Sequence, residues 1–207
     1  MNTATAPKRR KRDGAATREK ILAEALRLFA QKGYDATSIK DISAAVGVAD
    51  AALYRHFPSK DEIAQVVFAR HYRALADEIE AIAGAHKSFA PILEDLIALL
   101  CRLYDDQPDV FTFILINQHN HLRHIGFSGN PVEAVSGIMR RACEQGEIAV
   151  REPDLAAAIA LGAAIQPAIF HLYGRLAGTL EDHRPALTAS IRRALGACEQ
   201  TAQWRPG

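Results

Sequence analysis

Residues 17–60, TREKILAEALRLFAQKGYDATSIKDISAAVGVADAALYRHFPSK, decide how this chain folds. They read as three short helices with a tight turn between the second and third. Thr17 can cap a first helix, and Gly33 can end it in the left-handed conformation. Between them Ile21, Leu22, Ala25, Leu28 and Phe29 recur at helical spacing and give one apolar face. Ser38 caps a second helix, and Asp41, three residues on, completes a short-armed capping box. Ile39, Ile42 and Val46 form its buried stripe. Gly47 supplies the turn and Val48 plugs the corner. Residues 49–57 leave room for barely two turns, and so short a helix needs the other two as a platform. Leu53 and Phe57 face that platform. Ala51, Ala52, Tyr54, Arg55 and His56 are left for solvent or a ligand. Pro58 disfavours helical geometry at Phe57, and Ser59 caps a fourth helix from near Lys60.

A short helix that carries Tyr, Arg and His beyond a Gly-Val turn has the form of a helix-turn-helix reader for the DNA major groove. An ordinary three-helix bundle would explain the apolar stripes but not those outward side chains. The segments ILAEALRLFAQKGYDATSIKDIS, AAVGV and AALYRHFPSKDEI resemble the tetracycline-repressor (TetR) family of bacterial transcription regulators. The likeness covers about a quarter of the chain. It joins a glycine after the first helix, Thr-Ser opening the second, Gly-Val at the turn, and Leu-Tyr-X-His-Phe-X-X-Lys. It implies that Thr37, Ser38, Tyr54, His56 and Lys60 hold phosphates, contacts that set register but not sequence. Asp50, Ala51, Ala52 and Arg55 are the candidates for reading bases, Arg through guanine and an alanine methyl through thymine. The family often has Ser where this chain has Ala49, so Asp50 is an alternative cap for the reading helix.

Charge agrees with a DNA-facing end. The whole chain of 207 residues carries only +1, but residues 1–60 hold 12 Lys/Arg against 6 Asp/Glu and the rest 13 against 18. Residues 1–13, MNTATAPKRRKRD, lack an apolar period and hold five consecutive basic residues, Lys8 to Arg12. They read as a disordered arm. Either it is a solubilising tail, or Arg9, Arg10 and Lys11 follow the DNA backbone or enter the minor groove. No run of about 18 uncharged apolar residues is expected, hence no membrane span. The start lacks the apolar core of a secretion signal. Cys101, Cys143 and Cys198 are odd in number and widely spaced, which suits thiols in a reducing compartment. The expected location is cytoplasmic.

The expected fold is all-α with about nine helices: an arm (1–13), a helix-turn-helix DNA-binding domain (14–60) and a helical ligand-binding and dimerisation domain (61–207). Helices are expected over about 61–83, 91–104, 108–126, 131–145, 153–176 and 184–199, four of them opened by Pro91, Pro108, Pro131 and Pro153. Pro167 should kink the 153–176 helix. That helix is unusually small-sided. The family likeness implies that the last two helices pair with their twofold copies, with Ala160, Ala164, Phe170, Ile191 and Leu195 in the interface. Packing within one chain is the alternative. The same likeness places Phe68, Tyr72, Tyr104, Phe111, Phe113 and Phe170 around a small-molecule cavity, with Tyr72, Tyr104, Asn117, Gln118 and His119 to orient its occupant. Plain core is the alternative for each aromatic ring. His119, His121 and His124 lack a completing ligand at metal spacing, so neither metal nor cofactor is expected. No nucleophile elbow or phosphate loop points to an enzyme. The function expected is a ligand-responsive regulator, a repressor that binds a pseudo-palindromic operator as a homodimer and leaves it when a small molecule binds. A DNA-bound protein that docks a protein partner is the second reading.

Overall fold

The computed structural model describes residues 7–116 and 130–197, with side chains from Gly14 onward. Among these residues the chain is all-helical, with nine α-helices and no strand. Asn117, Gln118, His119, His121, His124 and Cys198 lie outside the described residues.

The described residues form two units, one from 7–71 with 112–116 and one from 72–111 with 130–197. In the first, α1 (Pro7–Lys32), α2 (Ile39–Val46) and α3 (Asp50–Tyr54) follow the expected order. The start of α1 differs from expectation. It lies at Pro7, so Thr17 is inside the helix and the backbone of the basic segment from Pro7 on is helical. Proline suits the first helical position, and Lys, Arg and Ala are good helix formers. Ile21, Leu22, Ala25 and Phe29 of α1 are buried together with Ile42, Val46 and Leu53. The helix α4 (Lys60–Ala85) begins in the first unit, where Ile63, Ala64, Val67 and Phe68 are buried, and continues into the second.

The second unit holds α5 (Phe89–Asp106), α6 (Pro108–Phe111), α7 (Pro131–Glu144), α8 (Pro153–Leu172) and α9 (Arg184–Ala194). The expected helix from Pro108 changes character after four residues: Thr112–Ile116 is a π-helical turn of the first unit. Three of its five residues, Thr112, Ile114 and Ile116, are β-branched and favour the α-form less. The wider turn accompanies burial of the adjacent Phe113 and Ile114. Phe113 stacks on Phe29 with ring centroids 5.6 Å apart and meets Phe68 edge-on at 6.0 Å.

One expectation for the C-terminal helices is corrected. α8 is long and apolar enough, by length and composition, to cross a membrane, because no charge follows Asp154 before its end. Its Ala156, Ala157, Ala160, Ala164 and Ala168 are nevertheless buried within the unit, where α8 packs on α7 and α9. Ala160, Ala164, Ile191 and Leu195, expected at a dimer interface, belong to this internal packing. Their small or compact side chains let α8 and α9 approach the rest of the unit. Of that set only Phe170 is exposed, beside Leu172 and Tyr173. Pro167 stands inside α8.

Gly47 closes α2 at φ +79° and ψ 36°, and its N–H reaches the carbonyls of Ser43 and Ala44. An L-side chain in that conformation costs about 1–2 kcal/mol. Gly47→Ala is therefore expected to lower unfolding stability by roughly that amount, measured by denaturant or thermal unfolding.

Candidate nucleic-acid interface

The surface at α3 is built from the loop between α1 and α2 upward. Thr37 is 1% exposed, and its hydroxyl donates to the Gly33 carbonyl at 2.8 Å. It closes α1 onto the next turn. Ser38 caps α2: its Oγ accepts from the Asp41 N–H at 3.1 Å, while its own N–H donates to Asp41 Oδ2 at 2.9 Å. The Ser38 hydroxyl, its N–H and the Lys32 ammonium hold the Asp41 carboxyl down at about 2. Here the capping box forms as the sequence suggests.

Ala49 occupies the cap position of α3 and makes no side-chain cap bond. Asp50 is the first helical residue, and its carboxylate takes the Ser43 hydroxyl. Asp50 is thus not the cap; the hydroxyl on α2 captures its carboxylate first. α3 spans five residues and is held from below by Leu53 and by Phe57 just beyond it, both 0% exposed. The guanidinium carbon of Arg18 lies 4.6 Å from the Phe57 ring centroid. Lys20 Nζ donates to the Val46 carbonyl at the end of α2 at 2.8 Å. That position suits a cation against the negative end of the helix dipole.

The structure separates the expected DNA contacts into three groups. Ala51, Tyr54 and Arg55 are exposed on α3 or at its end, and Ala52 and His56 are half-buried beside them. Ser38 is exposed at the start of α2. Thr37 is corrected: its buried hydroxyl serves the fold and cannot reach a phosphate. Lys60 is half-buried; its Nζ donates to the Tyr34 carbonyl at 2.9 Å and sits 4.2 Å from the Tyr34 ring centroid. The side chains of Arg9, Arg10 and Lys11 lie outside the described set. Sequence reading missed Arg18 and Lys20 as the cations that pin α1 to the reading end. Their partners, Phe57 and Val46, are far along the chain, so no local pattern signals them.

Of the residues expected to line a cavity, Phe68 and Phe113 belong to the first unit and Tyr72, Tyr104, Phe111 and Phe170 to the second. Phe68 and Phe113 pack with Phe29 in the first unit. Tyr104 and Phe111 meet edge-on at 5.0 Å in the second, where the Tyr104 hydroxyl also bonds His171 Nδ1 at 2.8 Å. Tyr72 is buried and Phe170 exposed. A groove of about 450 Å³ in the second unit is lined by Glu80, Ala83, Glu133, Ala134, Gly137, Ile138 and Arg141.

Residues 21–67 match the family model for bacterial regulatory proteins, tetR family. The HTH-type transcriptional regulator SrpR of Pseudomonas putida is 27% identical over 140 residues, which span 65% of this chain and 64% of that protein. The biofilm-operon negative transcriptional regulator IcaR of Staphylococcus epidermidis is 46% identical over 46 residues, 22% of this chain and 25% of its own length. The chain thus spans less than two thirds of the length of either relative. Among solved structures, the TetR-family transcriptional regulator PfmR of Thermus thermophilus aligns with a TM-score of 0.68 and 27% identity, over 87% of this chain and 99% of that one.

The capping box gives a pH prediction. A carboxyl lowered from 3.8 to about 2 adds stability that is present above 3.8 and is lost as pH falls towards 2. Carboxylate titration by NMR should find Asp41 near 2 in the native chain, and Ser38→Ala should raise it towards 3.8.

Proposed function

We propose that this chain, which belongs to the tetR family of bacterial regulatory proteins, represses transcription by holding an operator as a twofold dimer and leaves it when a small molecule binds. The observation that carries the DNA reading is the exposed edge of α3. Tyr54 and Arg55 face outward from a helix whose Leu53 is fully buried. A five-residue helix contributes little core, so its solvent face is available for another task.

In this reading α3 enters the major groove. Tyr54, His56, Ser38 and the remaining donors of Lys60 meet phosphates, while Arg55 and the methyl groups of Ala51 and Ala52 meet base edges. Asp50, already engaged by Ser43, takes no primary part. The negative regulation named for IcaR supports repression. A dimer seated on a promoter would block polymerase.

Dimerisation falls to the outer face of α8. Leu155 and Phe170 are about half exposed, and Tyr173 just past the helix end more so, with the exposed Gly162 between them. Such apolar exposure on one helix fits a self-complementary contact. The effector would bind in the second unit, whose groove of about 450 Å³ lies within the size range of small-molecule sites. α4 carries residues of both units and is the covalent route from effector to reader.

Binding-site selection from random duplex DNA tests the DNA roles. Arg55→Ala is expected to cost about 1–3 kcal/mol on the selected site and to relax preference at one base pair per half-site. Tyr54→Phe should weaken selected and unrelated duplexes by similar factors. An unaltered sequence logo for Arg55→Ala would remove Arg55 from base reading.

A further inference from the structure

Lys8 to Arg12 form the densest charge run in the chain. The structure makes their backbone part of α1, which runs unbroken from Pro7 to Lys32. Two contacts fix the next stretch of that helix to the reading end: Arg18 lies over Phe57, and Lys20 bonds the last carbonyl of α2. The basic run therefore begins only about 3 Å before Gly14 along the helix axis and extends to about 9 Å, at about 1.5 Å per residue.

We propose that this prolongation of α1 is a second DNA-binding element: a basic helix laid along the phosphate backbone beside the half-site that α3 reads. The inference rests on the DNA-binding reading above. Helical form decides between the two contacts open to an arm. A helix with its side chains is about 10–12 Å across, while the minor groove is about 6 Å wide. The run therefore tracks phosphates and does not read bases. It adds affinity and salt dependence equally on every sequence.

The position of Gly14 supplies a test of helical form as well as of charge. A methyl group there makes ordinary contact with His56 at 4.0 Å, and alanine is a far better helix former than glycine. Gly14→Ala should tighten DNA binding. Ala15→Pro retains every charge but removes a helical hydrogen bond and crowds the carbonyl of Lys11. The five-fold variant K8Q/R9Q/R10Q/K11Q/R12Q removes the charge and keeps the helix formers.

Each full-length variant is titrated, from about 50 to 200 mM salt, against a duplex selected by the wild-type chain and against an unrelated duplex of equal length. The charge-free variant should flatten the log–log salt slope by about 0.9 for each phosphate it no longer neutralises, so by roughly 2 if each chain of the dimer releases one. Both duplexes should weaken in proportion, leaving the selected sequence preferred. Ala15→Pro should reproduce most of that loss, with an unchanged thermal midpoint showing that the body still folds. An unchanged slope in the charge-free variant, or wild-type affinity in Ala15→Pro, would overturn the proposal. A change of sequence preference would overturn it too, by placing the run on bases. Loss of the preference by Arg55→Ala with the slope intact would bear on the reader alone, so the two readings fail separately.

Discussion

Burial of Leu53 and Phe57 is the constraint on which the candidate interface depends. Both are 0% exposed, on either side of the exposed Tyr54 and Arg55. A helix of five residues has too few internal hydrogen bonds to persist alone. It is held because one side is driven into the apolar floor made by α1 and α2, and the other side is then presented to solvent at a fixed angle. The polar contacts around it serve the same geometry. Ser43 restrains Asp50 at the start of α3, Lys20 secures the end of α2, and Arg18 covers Phe57.

That logic explains why the first unit was largely legible in the sequence. Apolar spacing from Ile21 to Phe29, the Ser38–Asp41 box and the Gly47 turn are local signals, and each appears where its chemistry demands it. What local reading could not settle was competition for side chains. Thr37 looked like an exposed hydroxyl but is consumed by the end of α1, and Asp50 looked like a cap but is taken by Ser43. The start of α1 was hidden for another reason. A basic run has no apolar period, yet its residues propagate a helix that the body has already nucleated.

The second unit was less legible because its aromatic and alanine positions carry no label for what they face. Tyr104, Phe111 and His171 form a compact polar-aromatic contact, while Phe29, Phe68 and Phe113 form another around a π-turn. The small residues of α8 are buried against its neighbours within the unit. The larger apolar residues on the opposite side, from Leu155 to Tyr173, remain outward. Long-range pairing, not propensity, decides both outcomes.

The central claim is that α3 is a major-groove reader used in twofold pairs. Hydroxyl-radical footprinting of the full-length chain on a duplex selected from random DNA tests it most directly. The account predicts two protected patches related by a twofold axis, with half-site centres about 34–36 Å apart or a multiple of that. A single unsymmetrical patch occupied by one chain, or protection that ignores the selected sequence, would contradict it.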